Sequence, residues 1–264
     1  MKKITGLFMV LLLLTACGSV PLTGRKQILL VSDSEVLNAS LTQYSDYIKT
    51  APKSTNKTYI AEVERVGKKI AAATEQYLKN NGLEAEIKNF AWEFNTINSA
   101  DINAFCMPGG KIVVYEGLLK LISSEDELAT VMGHEVAHAV ARHSNERMSQ
   151  EIVAQYGAAI LDQAFSNKSA AIQQVGVTVF GLGAQGGILA YSRKHELEAD
   201  YMGLVLMTMA GYDPNKALTF WEKMSAATGN APLELLSTHP SDSRRIAQIR
   251  QYLPEMEKYK AVKK

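Results

Sequence analysis

The chain has 264 residues, 47% of them apolar and 21% charged, with a net charge of +1 at pH 7. That is enough chain for one or two domains with a sizeable core. Apart from the tail Lys258 to Lys264 there is no basic run, so nucleic-acid binding has no electrostatic footprint.

The first sixteen residues read as an address. Lys2 and Lys3 are followed by an apolar run, Ile4 to Leu14, of signal-peptide length and too short to span a bilayer. Leu14-Thr15-Ala16-Cys17 resembles a bacterial lipobox, in which the cysteine becomes the acylated first residue. The alternative is an ordinary signal peptide that happens to precede a cysteine. Several acyl chains on Cys17 would anchor the protein without a transmembrane helix. Gly18, where an aspartate would favour inner-membrane retention, points to the outer membrane. The expectation is a signal peptide over 1–16, a lipidated tether over 17–30 and one domain over 31–264. The protein would be lipid-anchored in the bacterial envelope, facing the periplasm. Cys106 is then the only cysteine left, so no disulfide forms within the chain; it reads as a small core residue.

Ser32 or Ser34 is placed to cap a helix running to about Thr50, and residues 51–58, with Pro52, read as a polar loop. From Tyr59 to Asn80, Ile60, Val63, Val66, Gly67 and Ile70 recur at helical spacing before Asn80-Asn81-Gly82 ends the helix. Phe90 to Asn95 alternates with Phe90, Trp92 and Phe94 on one face, which predicts a strand. Asn103–Met107 and Lys111–Tyr115 flank Pro108-Gly109-Gly110 and predict a hairpin. Residues 145–191 are helical by pattern with a polar break at 166–169. Ile172 to Ala190 is apolar and glycine-rich: a closely packed helix pair and loop, or alternatively a flap that gates a cleft or touches lipid.

Between these halves lies Gly133-His134-Glu135-Val136-Ala137-His138, an H-E-x-x-H. His134 and His138, at i and i+4, share one helix face and can reach one ion, while Glu135 can reach a water on that ion. Ser124 and Glu127 predict a capping box, with Glu125, Asp126 and Glu127 at the positive end of the helix dipole. Leu128, Val131, Met132, Val136, Ala139 and Val140 give a broad buried stripe, where an unpartnered His134 would be costly. The competing reading is two core histidines satisfied by the protein.

A catalytic zinc site normally has three protein ligands. Glu196 and Asp200, again i and i+4, are the candidates: one carboxylate could bind the ion while the other accepts a ligand histidine's N–H. Glu198 is out of phase and reads as pointing away. His143 reads as a structural histidine at a helix end, and His195 as an outer or surface group. Ala141 and Ser144 stand where a metzincin has glycine and histidine, which excludes that geometry.

The chain resembles the HtpX/Ste-type zinc metallopeptidases of the gluzincin group, and within them a bacterial lipoprotein branch typified by LoiP and the peptidase part of BepA. The residues that carry this are Val20-Pro21-Leu22-Thr23-Gly24-Arg25, Asn103-Ala104-Phe105, Pro108-Gly109-Gly110, Gly117-Leu118-Leu119, the H-E-x-x-H, Glu196 to Asp200, and Thr238-His239-Pro240 with Arg245. The resemblance implies Glu196 as third ligand, with Asp200 behind it. It also implies that Asn103, Ala104 and Phe105 form an edge strand that pairs with substrate, and that His239 and Arg245 lie over the zinc cleft.

The expected protein is therefore an α+β, mostly helical zincin-like domain with a small sheet before the catalytic helix. One Zn²⁺ would be held by His134, His138 and Glu196, with Glu135 moving the proton. His239 is either an oxyanion donor, as Arg245 could also be, or a latch on the ion; the alternative is a cap residue far from the metal. Substrates would be envelope polypeptides, misfolded or unassembled ones by resemblance. Two competitors remain: a zinc amidase acting on peptidoglycan, and a binding module whose zinc is structural and closed by a fourth ligand. The oligomeric state is left open.

Overall fold

The computed structural model describes residues 17–156, 160–180, 192–227, 235, 239 and 243–260. The expected signal peptide lies outside them. Residues 17–30, expected as a tether, are instead a packed β-hairpin. Strands β1 (Cys17–Ser19) and β2 (Lys26–Ile28) pair antiparallel, Cys17 opposite Ile28 and Ser19 opposite Lys26. The turn is closed by Val20 N–H to Arg25 O and Gly24 N–H to Val20 O. Within it Val20 and Gln27 are buried, Thr23 and Arg25 donate to Glu198 and Leu30 N–H donates to Ser149, so this stretch is tied to the domain rather than left in solvent.

Helix α1 (Asp33–Thr50) starts at a full capping box between Ser32 and Glu35. Helix α2 (Lys57–Asn80) is capped by Asn56, whose Oδ1 accepts from the N–H groups of Thr58 and Tyr59. After the single turn α3 (Glu84–Ile87) come β3 (Glu93–Ile97), β4 (Ala104–Met107) and β5 (Lys111–Tyr115). The sheet order is β3-β5-β4; β5 is parallel to β3 and antiparallel to β4. The expected hairpin is present, and Gly109 and Gly110 in its turn have φ of +92° and +76°, a region open chiefly to glycine. Strand β3 begins later than the alternation predicts. Phe90 and Trp92 stack on each other ahead of it, ring centroids 4.7 Å apart.

The remaining elements are helical: α4 (Glu116–Leu121), α5 (Glu125–Val140), α6 (His143–Tyr156), α7 (Ile160–Phe180), α8 (Arg193–Met209), α9 (Lys216–Ala227) and α10 (Ser243–Tyr252), then a 3₁₀ segment, Leu253–Tyr259. Helix α7 runs straight through 166–169, where a break was expected. Ser, Asn and Lys lower helix propensity only modestly, and no glycine or proline stands there. Of the glycine-rich stretch, Ile172, Val175, Val179 and Phe180 are buried; residues 181–191 lie outside the described residues.

The sheet separates two cores. Ala104, Cys106, Ile112 and Val114 face one core with Val66 and Ile70 of α2, Met132 and Val136 of α5 and Met202 and Val205 of α8. Phe105, Met107, Val113 and Tyr115 face the other with Val36 of α1, Met148 of α6 and Val175 of α7. The period-2 alternation of β4 and β5 is thus apolar on both faces, as a strand covered on both sides requires. Among the described residues no helix is long and apolar enough to cross a membrane.

Candidate active site

Helices α5 and α8 carry the H-E-x-x-H and the Glu196–Asp200 pair, and they cross where Gly133 meets Gly203. Each start is fixed by a serine. Ser124 Oγ accepts from Glu127 N–H, and Ser192 Oγ accepts from His195 N–H. The Glu127 carboxylate accepts from Ser123 N–H, not from Ser124, so the expected capping box is shifted by one residue.

The crossing brings together donor atoms of His134, His138, Glu196 and His239, all buried and all within 4.8 Å of one another. His138 Nε2 lies 3.1 Å from His134 Nε2 and 3.5 Å from Glu196 Oε1, and His134 Nε2 lies 3.4 Å from Glu196 Oε2. His239 Nδ1 is 3.3 Å from His134 Nε2 and 3.0 Å from Glu196 Oε1. Tetrahedral ligands about 2.0–2.1 Å from zinc stand roughly 3.3–3.4 Å apart, so these separations suit that ion. The donor set, three imidazoles and a carboxylate, suits it as well.

Around the donors lies an ordered set of partners. Asp200 Oδ1 is 3.0 Å from His134 Nδ1, the ring atom facing away from the cluster. Arg245 donates through Nε and Nη2 to Asp200, at 2.8 and 2.7 Å, and its Nη1 is 2.9 Å from Glu196 Oε2. Its guanidinium carbon sits 4.1 Å over the Trp221 ring. Arg245 is buried and its fork is engaged by these two carboxylates, which makes it a clamp on the site and argues against the expected oxyanion role. Glu135 is 2% exposed, and its Oε1 makes no hydrogen bond among the described residues. His239 Nε2 stands 3.5 Å from that oxygen.

Burial sets the protonation of the site. Glu135 is pushed up by burial, with the Glu196 charge adding to it. His138 is pushed well below the ordinary histidine value by burial and by the neighbouring His134 charge. Burial would also lower His134, but Asp200 and Glu196 outweigh it and bring the imidazole up to about 9. Asp200 would rise by burial, and Arg245 holds it below the usual range. Cys106 is buried and its thiol is pushed up by burial, in keeping with a core residue.

Strand β4, with Asn103 just before it, lies at the sheet edge, paired on one side with β5; Tyr115 N–H donates to Asn103 O at 3.1 Å. Leu235 N–H donates to Ile102 O at 3.1 Å, and His239 N–H donates to Leu235 O at 2.8 Å. The backbone that carries His239 is thus tied to the approach of the edge strand.

The reading of Glu198 from helix phase needs correction. Glu198 does not point away: it is buried and accepts from His143 Nε2 at 3.0 Å. His143, read as a structural histidine at a helix end, is the first residue of α6. It is buried, with its Nδ1 2.9 Å from Nδ1 of His138. His195 is buried too, its Nε2 3.1 Å from Glu146 Oε2.

Residues 61–253 match Peptidase family M48. Mitochondrial metalloendopeptidase OMA1 of Schizosaccharomyces pombe is 41% identical over 179 residues, 64% of this chain and 49% of that protein. The protein of the same name in Arabidopsis thaliana is 40% identical over 63% of this chain and 33% of its own length. The Beta-barrel assembly-enhancing protease of Escherichia coli (strain K12) is 29% identical over 69% of this chain and 39% of its own. The chain thus spans about half the length of the first of these relatives and less of the others. The expected address, a lipoprotein of the bacterial outer membrane, is overturned by these matches: the relatives at 40–41% identity are mitochondrial proteins, against 29% for the bacterial one. What stands is the coarser assignment. The match covers well over half of the sequence, and the chain belongs to peptidase family M48, a family of zinc metallopeptidases.

Proposed function

We propose that the protein is a zinc-dependent metalloendopeptidase in which His134, His138 and Glu196 hold the ion and Glu135 is the general base. The observation that carries this reading is the convergence of four buried donor atoms beside a buried carboxylate oxygen that makes no hydrogen bond among the described residues. When bound, zinc supplies a Lewis acid for the scissile carbonyl and a water ionising near neutrality. Glu135 takes the proton from the attacking water and delivers it to the leaving amine; its raised pKa suits both halves of that transfer. Asp200 fixes the His134 ring, and Arg245 holds Asp200 and Glu196 in place.

Asn103, Ala104 and Phe105, at the edge of the sheet, hold the substrate backbone by strand addition. A segment captured this way must be extended and unpaired, which folded proteins seldom offer. The substrates in this reading are polypeptides that are misfolded or not yet assembled.

His239 would be the fourth donor to the ion at rest and would give way to substrate. Its Nδ1 among the other donors supports this role over an oxyanion donor. The same observation favours one second reading, a binding module whose zinc is structural and closed by four protein donors. Zinc-loaded protein offered an unfolded polypeptide decides between them. The peptidase cuts it at internal bonds, stops on chelation and resumes when zinc is returned, whereas intact polypeptide after prolonged incubation favours the binding module.

A further inference from the structure

We propose that the turn of the N-terminal hairpin completes the zinc site through a chain of hydrogen bonds in which Arg25 and Thr23 hold Glu198, Glu198 holds His143, and His143 holds the ring of His138. This rests on the reading of His138 as a metal ligand. Arg25 and Thr23 precede residues 61–253, the stretch matched by the family model, and belong to the Val20–Arg25 segment that carries the sequence resemblance.

The geometry is continuous. His138 presents Nε2 to the donor cluster and Nδ1 to His143 Nδ1, 2.9 Å away. His143 Nε2 is 3.0 Å from Glu198 Oε2. That carboxylate accepts from Arg25 Nε at 2.7 Å through Oε2 and from Thr23 Oγ1 through Oε1. Arg25 uses the rest of its fork on Glu146, at 3.0 and 2.8 Å, and Glu146 in turn faces His195, whose ring stacks on His143 with centroids 4.3 Å apart.

The tautomers allow only one arrangement. An imidazole that gives Nε2 to a metal keeps its proton on Nδ1 and must donate it. His143 Nδ1 can accept that proton's bond only while its own proton is on Nε2, and an ionised Glu198 enforces this by accepting there. Arg25 Nε and Thr23 Oγ1 both donate to the same carboxylate, which leaves Glu198 an acceptor toward His143 Nε2. The amide of a Glu198→Gln side chain can instead turn its NH2 to His143 Nε2; the His143 proton then sits on Nδ1 and two N–H groups face each other across 2.9 Å. Thr23, Arg25, Glu198 and His143 are thus positioning residues, acting on the metal through His138.

The test is zinc affinity of the full chain at pH 7, by competition with a chromophoric chelator, in Arg25→Gln, Glu198→Gln, His143→Gln and Arg25→Lys, with the metal-free melting temperature of each. Arg25→Gln and Glu198→Gln are expected to bind zinc about 10- to 100-fold more weakly, the usual cost of losing an outer partner of a metal ligand. Arg25→Lys recovers part of the loss. Because the residues act in series, Arg25→Gln combined with His143→Gln is no worse than the weaker single variant. Should Arg25→Gln fail to fold, Thr23→Val removes one bond to Glu198 and carries the same test with a smaller loss. A purely structural hairpin would lower the metal-free melting temperature and leave zinc affinity at the wild-type value, and that result overturns the proposal. Wild-type protein that binds no zinc would remove both this proposal and the peptidase reading, whereas tight binding by every variant removes this one alone.

Discussion

Gly133 on α5 and Gly203 on α8 meet backbone to backbone. A Cβ on Gly133 would lie 2.9 Å from the Gly203 carbonyl oxygen, and one on Gly203 would lie 2.8 Å from the His134 nitrogen. This close crossing is what sets Glu196 and Asp200 against His134. Alanine at either position would favour the helix by about 1 kcal/mol. It would also wedge two rigid backbones apart, an overpacking cost of roughly 1–3 kcal/mol. The clash wins because the atoms it meets are main chain and cannot rotate away. Gly203→Ala is expected to lower the metal-free melting temperature and to weaken zinc binding together; wild-type values for both would show that the crossing does not set the site.

Arg245 pairs with two carboxylates in a buried place. Arg245→Leu keeps the bulk over Trp221 but leaves Asp200 and Glu196 with only the His134 ring to offset their charge. Breaking a buried pair in this way costs roughly 3–5 kcal/mol. Metal-free Arg245→Leu is expected to unfold at much lower urea than wild type, and added zinc, which offers Glu196 a new cation, is expected to restore part of the difference. A variant of normal stability and reduced kcat would instead revive the oxyanion role for this residue.

The metal-free protein should be most stable near neutrality. His143 sits at about 4 in the fold against 6.5 in the unfolded chain. The unfolded state therefore takes up this proton first, and stability falls as pH drops from 6.5 through 4. Glu146 and Glu198, both brought to about 2 from 4.5 against the pull of burial, extend the loss to lower pH. His134, raised to about 9, works the other way: its contribution is full below 6.5 and is lost as pH rises through 9. Zinc takes the place of that proton, so apparent zinc affinity should climb with pH up to about 9. Urea midpoints across pH 3–9, with and without zinc, check this; an alkaline limb unchanged by zinc would mean that His134 does not give its proton up to the metal.

What was legible in the sequence was what one helix can display by itself. His134 with His138, and Glu196 with Asp200, are readable because i and i+4 lie one turn apart. The serine caps and the Pro108-Gly109-Gly110 turn are equally local. The parallel pairing of β3 with β5 was not readable, because it joins segments through a crossover. Nor was Arg25 against Glu198, 173 residues apart. Glu198 was misjudged by phase, since phase assigns a face but does not say that a second element covers the opposite one. Nor does local sequence show that Arg142 in the left-handed region, φ +57°, follows the end of α5 and lets His143 begin α6, facing His138.

His239→Ala separates the roles left open for that histidine. A latch predicts higher basal cleavage of an unfolded substrate and faster zinc loss. An oxyanion donor predicts a fall in kcat of roughly a hundredfold or more with zinc affinity kept. The position of Nδ1 among the donors leads us to expect the first outcome; wild-type turnover with wild-type zinc affinity would make the residue structural.

The most direct test of the account is Glu135→Gln, measured for zinc content and for cleavage of an unfolded polypeptide in the same preparation. The substitution keeps the shape of a side chain that is not a ligand and removes only its ability to take the proton. The account predicts about one zinc per chain, as in wild type, and no turnover. Cleavage at the wild-type rate by zinc-loaded Glu135→Gln protein would contradict it.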